Sequence, residues 1–192
     1  MNEALLAQVS IIMVMVGTPG PNNFLLLNSG VNFGVRRSIP LLAGILMGCL
    51  VMLLALATGL GQVFAHYPLS LTIMRVISAG FLAYLVIKLL QTRGTNSHRE
   101  SAVKPLGFWQ GAAFQWVNPK AWMMCLSLIT AGVTHSDMAM LLIIFAVTAL
   151  PLLLAWNLGG LALRQWLSVG TRLVWFNRAM ALLLLSCVVM IF

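Results

Sequence analysis

Two short motifs carry the residue types that could do chemistry in this chain: Thr18-Pro19-Gly20-Pro21-Asn22-Asn23 near the start and Asn118-Pro119-Lys120 past the middle. Proline has no N–H and its ring clashes with the carbonyl four residues back. Pro19 and Pro21 therefore strip helical partners from the carbonyls of Met15 and Gly17, and push Thr18 and Gly20 away from helical angles. Pro21 suits the first position of a new helix, with Gly20 as its cap. The N–H groups of Asn22, Asn23 and Phe24 are then free, and a helix N-terminus attracts anions. Pro119 repeats the device: it frees the carbonyl of Gln115 and starts a second half-helix, with Lys120 just inside it. Two half-helix N-termini with an ammonium beside them fit a small carboxylate, and the freed carbonyls suit an amine. The candidate binding residues are thus Thr18, Pro19, Gly20, Pro21, Asn22, Asn23, Gln115, Asn118, Pro119 and Lys120. Plainer readings stand beside these: a proline kink that only shapes packing, and a Lys120 whose long stem snorkels to the headgroups.

Enzyme chemistry has little to work with. The acidic residues are Glu3, Glu100 and Asp137, all outside the apolar runs, and His66, His98 and His135 fall in loops or at segment ends. No Ser–His–Asp constellation, metal cluster or carboxylate relay follows from these positions, so neither a catalytic residue nor a metal or cofactor is expected. Cys49, Cys125 and Cys187 lie inside apolar runs without metal spacing and read as small buried hydrophobes.

The elements that must position these motifs are membrane helices. Of 192 residues, 61% are hydrophobic and 7% charged, and the mean hydropathy is +1.00. A soluble domain carries about 25% charged residues. The net charge of +8 does not indicate nucleic acid, because the basic residues are spread over short loops and form no basic face. A bilayer core needs about 20 apolar residues of helix. The chain then reads as all-α, with six spans at Ala4–Leu27, Pro40–Gln62, Leu71–Leu90, Phe108–Ala131, Met138–Leu161 and Val174–Phe192. Lys120 lies well inside the fourth, where a lysine costs ~2.5–3.5 kcal/mol on insertion scales. Met1-Asn2-Glu3 lacks the positive start of a signal peptide, so the first run is expected to stay in the membrane.

The first, third and fifth loops hold Arg36, Arg37, Arg93, Arg99, Lys104, Arg164 and Arg172, with Lys88 at a helix end and Arg75 just inside the third span; the second and fourth loops and the N-terminus hold no Lys or Arg. The positive-inside rule makes the odd loops cytoplasmic and puts both termini outside. The polar run Gln91–Lys104 (QTRGTNSHRESAVK) is a solvated linker that splits one membrane domain into halves, 1–91 and 108–192, joined by a cytoplasmic linker at 92–107. Three spans per half give opposite orientations, the geometry of an inverted repeat. The halves echo one another in a proline-broken first helix and in an arginine near the start of the third, Arg75 and Arg178. Gly44 and Gly48 form a GxxxG pair, a weak signal for close contact between copies.

The motif Thr18-Pro19-Gly20-Pro21-Asn22, Gly34 and Arg36 in the first loop, Ala43-Gly44 in the second helix and Asn118-Pro119-Lys120 in the fourth resemble the lysine-exporter (LysE/RhtB) family of amino-acid export permeases over nearly the whole chain. The resemblance implies six helices in a bacterial inner membrane, efflux of small amino acids driven by the proton motive force, and members considered homodimeric. Pro21-Asn22-Asn23, Leu42-Ala43-Gly44 and Gly48-Cys49-Leu50 look most like the cysteine and O-acetylserine exporter type. Many members carry an Asp shortly after that glycine, where this chain has Cys49, which argues against a carboxylate proton carrier at this position. The competing class is a membrane thiol-redox protein passing electrons inward. It would need paired cysteines on facing helices, because exchange runs from sulfur to sulfur; the three cysteines here do not flank the proline breaks.

Overall fold

A computed structural model describes residues 2–60, 68–91, 104–131 and 138–189, with Arg75, Lys88 and Cys187 described by backbone alone. The secondary structure of the described residues is helical: α1 (Asn2–Gly17), α2 (Pro21–Ala55) with a π-helical turn at Leu56–Leu60, α3 (Pro68–Gln91), α4 (Phe108–Val117), α5 (Pro119–Thr130), α6 (Met138–Leu167) and α7 (Arg172–Val189). Expected features at 92–103 (Arg93 and Arg99 included), Gln62, His66, His98, His135, Glu100, Asp137 and 190–192 lie outside the described residues.

Both proline motifs break their helices as the missing N–H requires. The expected Ala4–Leu27 span is α1 and the first part of α2, and the expected Phe108–Ala131 span is α4 and α5. One expectation is corrected. The connection expected between Leu27 and Pro40 is shorter than a loop: two helical arms meet at Gly34, where the chain turns back, and its φ of 76° and ψ of 173° are open essentially to glycine alone. Across this corner the hydroxyls of Ser29 and Ser38 meet at 2.7 Å, and Ser38 Oγ donates to the Gly34 carbonyl at 2.8 Å. Arg36 and Arg37 are therefore exposed helical residues. Pro40 lies inside the second arm of α2, where its missing N–H costs one bond near the start of that arm.

The elongated α2 is the centre of the bundle. It packs on α6 and α4, α3 packs on α7, and α1 lies against α6 and α5. Backbones approach closely where side chains are absent. A Cβ on Gly44 would run into the Phe108 carbonyl, one on Gly48 would meet Ala112 and Gln115, and one on Gly160 would strike the Leu27 carbonyl. Gly44 and Gly48 thus provide a close helix contact, with α4 of the same chain. The core holds Leu26, Leu41, Ile45, Met52, Phe114 and Phe145, while Met13, Val14, Ile143, Val147 and Leu182 point outward. Pro21–Leu60 and Met138–Leu167 are long and apolar enough to cross a membrane. Exposed apolar flanks on this scale suit lipid as their solvent.

Candidate functional site

The two helix breaks meet. Lys120, in the first turn of α5, reaches across to the end of α1, where its Nζ donates to Thr18 O at 2.7 Å, Thr18 Oγ1 at 2.9 Å and Pro19 O at 3.1 Å. Thr18 Oγ1 in turn donates to Val14 O at 2.7 Å. A helix C-terminus carries partial negative charge, so the ammonium sits where the α1 dipole favours it. Gly20 makes room, since a Cβ there would stand 3.0 Å from Lys120 Cδ. Asn23, buried behind the break, donates both amide hydrogens to α1, to Val16 O at 2.8 Å and Thr18 O at 2.6 Å. Side chains from the same chain therefore satisfy carbonyls that the broken helix leaves open, as a break inside hydrocarbon demands.

A second link joins the halves below the lysine. Asn22 Nδ2 donates to Gln115 Oε1 at 2.8 Å, Gln115 Nε2 returns a bond to Asn22 Oδ1 at 3.0 Å, and the same Nε2 reaches Gly111 O at 2.9 Å. Gln115 is fully buried. Its importance lies in this side chain and not, as the proline argument expects, in a freed carbonyl. Asn118 N–H donates to the Gln115 carbonyl at 3.2 Å. Asn118 caps α5 by accepting from the Lys120 N–H at 3.1 Å, and Trp122 Nε1 donates to Trp116 O at 2.8 Å. Pro21 and Pro119 open α2 and α5. Phe24 N–H is also taken, by Gly20 O at 3.0 Å, so it is not one of the free donors expected there.

Between the links is a cavity of about 30 Å³, room for little more than a water. Of the candidate binding residues, Gly20, Asn22, Asn23, Asn118 and Lys120 line it. Unexpected are Met15 from α1, Cys49 from α2, Met124 from α5, and Phe145, Ala149 and Leu153 from α6. The last three repeat at every fourth residue and so share one helix face. Among the described lining residues Lys120 is the only charged one. Nothing in the sequence marked these apolar positions, because in a chain this hydrophobic every face of α6 looks alike. Cys49 Sγ lies 3.5 Å from Gln115 Oε1, and Cys125 Sγ lies 3.9 Å from the Cys49 carbonyl. Cys49 and Cys125 thus face one another beside the breaks, which the separate treatment of the cysteines did not foresee.

Residues 12–192 match the family described as LysE type translocator. Among similar proteins are a cysteine/O-acetylserine efflux protein of Klebsiella pneumoniae, 33% identical over 91% of this chain and 89% of the relative, and one of Salmonella typhimurium, 30% identical over 91% and 90%. A protein of the same description from Escherichia coli K12 is 28% identical over 94% of this chain and 93% of its own length. No solved structure matches. A chain with this all-helical build, two proline-broken helices locked together by a lysine, and a family match over almost all of its length belongs to the LysE type translocator family of membrane transporters.

Proposed function

We propose that this protein is a secondary transporter of the bacterial inner membrane that exports small neutral amino acids, cysteine and O-acetylserine among them. The observation that carries the reading is the Lys120 ammonium resting on the carbonyls of Thr18 and Pro19. Those acceptors are what a substrate ammonium would seek, and the ammonium is what a substrate carboxylate would seek. With a cavity of only about 30 Å³, an amino acid enters by displacing the lysine. Lys120 swings to the carboxylate while the substrate amine takes over Thr18 O and Pro19 O, and Asn22, Asn23, Gln115 and Asn118 hold the frame around them. The apolar lining, with no carboxylate among the described lining residues to hold a cationic side chain, selects small neutral substrates.

The architecture that goes with this reading is six spans in two inverted halves, 1–91 and 108–192, joined by a cytoplasmic linker, with both termini outside. A proline-broken helix opens each half. The polar residues of the site come from both halves of one chain, so each copy is a transport unit in any homodimer. Export is driven by the proton motive force. The test is efflux from cells overproducing the chain, using a panel of neutral, basic and acidic amino acids with and without a protonophore. The expected outcome is faster efflux of cysteine and O-acetylserine, not of lysine or glutamate, lost when the proton gradient collapses. Efflux no faster than in control cells for every neutral amino acid overturns the proposal.

A further inference from the structure

Cys49 and Cys125 are 76 residues apart in sequence, on the second arm of α2 and on α5. Both are free thiols, 2% and 0% exposed. Cys125 Sγ lies 3.9 Å from the Cys49 carbonyl, so the two residues meet where α2 and α5 pack together. A disulfide needs two Cβ atoms about 3.5–4.5 Å apart on facing backbones, and a Cys125 Sγ within 3.9 Å of the Cys49 backbone sets the two residues on facing helices. Cys49 also lines the cavity, while Cys125 stands behind it.

We propose that Cys49 and Cys125 are a modification site, an oxidisable thiol pair whose disulfide ties the two halves of the chain together beside the cavity and arrests transport. The proposal rests on the exporter reading. The oxidant class is a small peroxide. Burial protects a thiol while the site is closed, but any movement that admits an amino acid to the cavity also admits hydrogen peroxide to Cys49. The Cys49 thiol attacks one peroxide oxygen, giving a sulfenic acid and one water. The Cys125 thiol then attacks the Cys49 sulfur, the S–O bond breaks, and a second water leaves as the S–S bond forms. A small thiol reverses the bond by exchange, two RSH being converted to one RS–SR.

Two consequences follow for transport. The bond fixes α2 of one half to α5 of the other, whereas alternating access requires the halves to move against each other. Oxidation also removes the Cys49 S–H that faces Gln115 Oε1 at 3.5 Å, beside the Asn22–Gln115 link. The pair therefore makes the exporter sensitive to oxidants through a contact internal to the bundle.

The experiment uses the full chain in proteoliposomes, treated with hydrogen peroxide or buffer, then alkylated and digested for mass spectrometry while transport is followed in parallel. Expected is a peptide pair joined through Cys49 and Cys125, lighter by the two thiol hydrogens. With it should come a loss of transport of about tenfold that dithiothreitol restores. Cys125→Ser and Cys125→Ala should each keep the untreated rate and lose the sensitivity, whereas Cys187→Ser should keep both. Absence of the joined peptide after inactivation, or equal inactivation of the Cys125 variants, overturns the proposal. The joined peptide is read in the wild-type chain whether or not that chain exports. An untreated protein that moves no neutral amino acid would therefore count against the exporter reading, and a missing peptide against the thiol pair.

Discussion

Lys120 Nζ reaches three oxygen acceptors at the end of α1, the Thr18 and Pro19 carbonyls and the Thr18 hydroxyl. Hydrogen bonds to charged groups contribute about 1.5–3 kcal/mol each, and the low dielectric strengthens the attraction of the same ammonium for a carboxylate. Lys120→Met should therefore insert normally and lower export by more than tenfold, measured as initial efflux rate at matched expression. Lys120→Arg should fail almost as badly. A planar guanidinium does not present the compact, rotatable donors that the Thr18 and Pro19 carbonyls receive. Near-normal export by Lys120→Met would reduce the residue to a tether for α1. Lys120 was legible from sequence because a lone cation in a long apolar run has few reasons to be there. The bonds it makes were not, since Thr18 lies 102 residues away and no local rule connects the two.

At the scale of the element, prolines and glycines divide the work. Pro19, Pro21 and Pro119 announced the breaks because a missing N–H acts locally and in every context. Gly34 did not announce its corner. The neighbouring Arg36 and Arg37 suggested a loop, yet a helix arm carries exposed arginines as well as a loop does, and only the positive φ of 76° reveals the turn. Pro19→Ala with Pro21→Ala should let α1 run on toward α2. That would withdraw the Thr18 and Pro19 carbonyls from Lys120 and abolish export while membrane insertion, followed by fractionation, stays intact. Gly44 tests packing. A side chain there meets the Phe108 carbonyl of α4, and overpacking a filled interior costs about 1–3 kcal/mol. Gly44→Val should lower the melting temperature of the purified protein in detergent by several degrees with its oligomeric state unchanged. A changed oligomeric state at unchanged stability would instead mean that Gly44 faces a second copy.

For the whole molecule the question is which end faces the cytoplasm. Arg164 Nη1 lies 3.5 Å from where a Cβ of Gly34 would stand, so the α2 corner with Arg36 and Arg37 and the end of α6 share one end of the bundle. Arg172 lies over the Trp166 ring at 4.9 Å and Arg178 over Trp175 at 5.1 Å, and both rings are exposed, as is Trp109 at the start of α4. Tryptophan favours the headgroup level, and lysine and arginine favour the cytoplasmic side of it. In the orientation proposed above, the end of the bundle that holds Arg36, Arg37 and Arg164 is the cytoplasmic one. From the Gly34 corner to Pro21 is thirteen residues of helix by sequence, roughly 20 Å at 1.5 Å per residue; in the proposed arrangement, with the corner at the cytoplasmic surface, the break then lies well inside a hydrocarbon core of about 30 Å. Reporter fusions at Phe192 and within residues 92–103 should therefore report opposite sides, the linker inside and the C-terminus outside. Locating the linker outside would overturn the orientation. Locating both on the same side would remove the odd number of spans in the second half, and with it the inverted repeat.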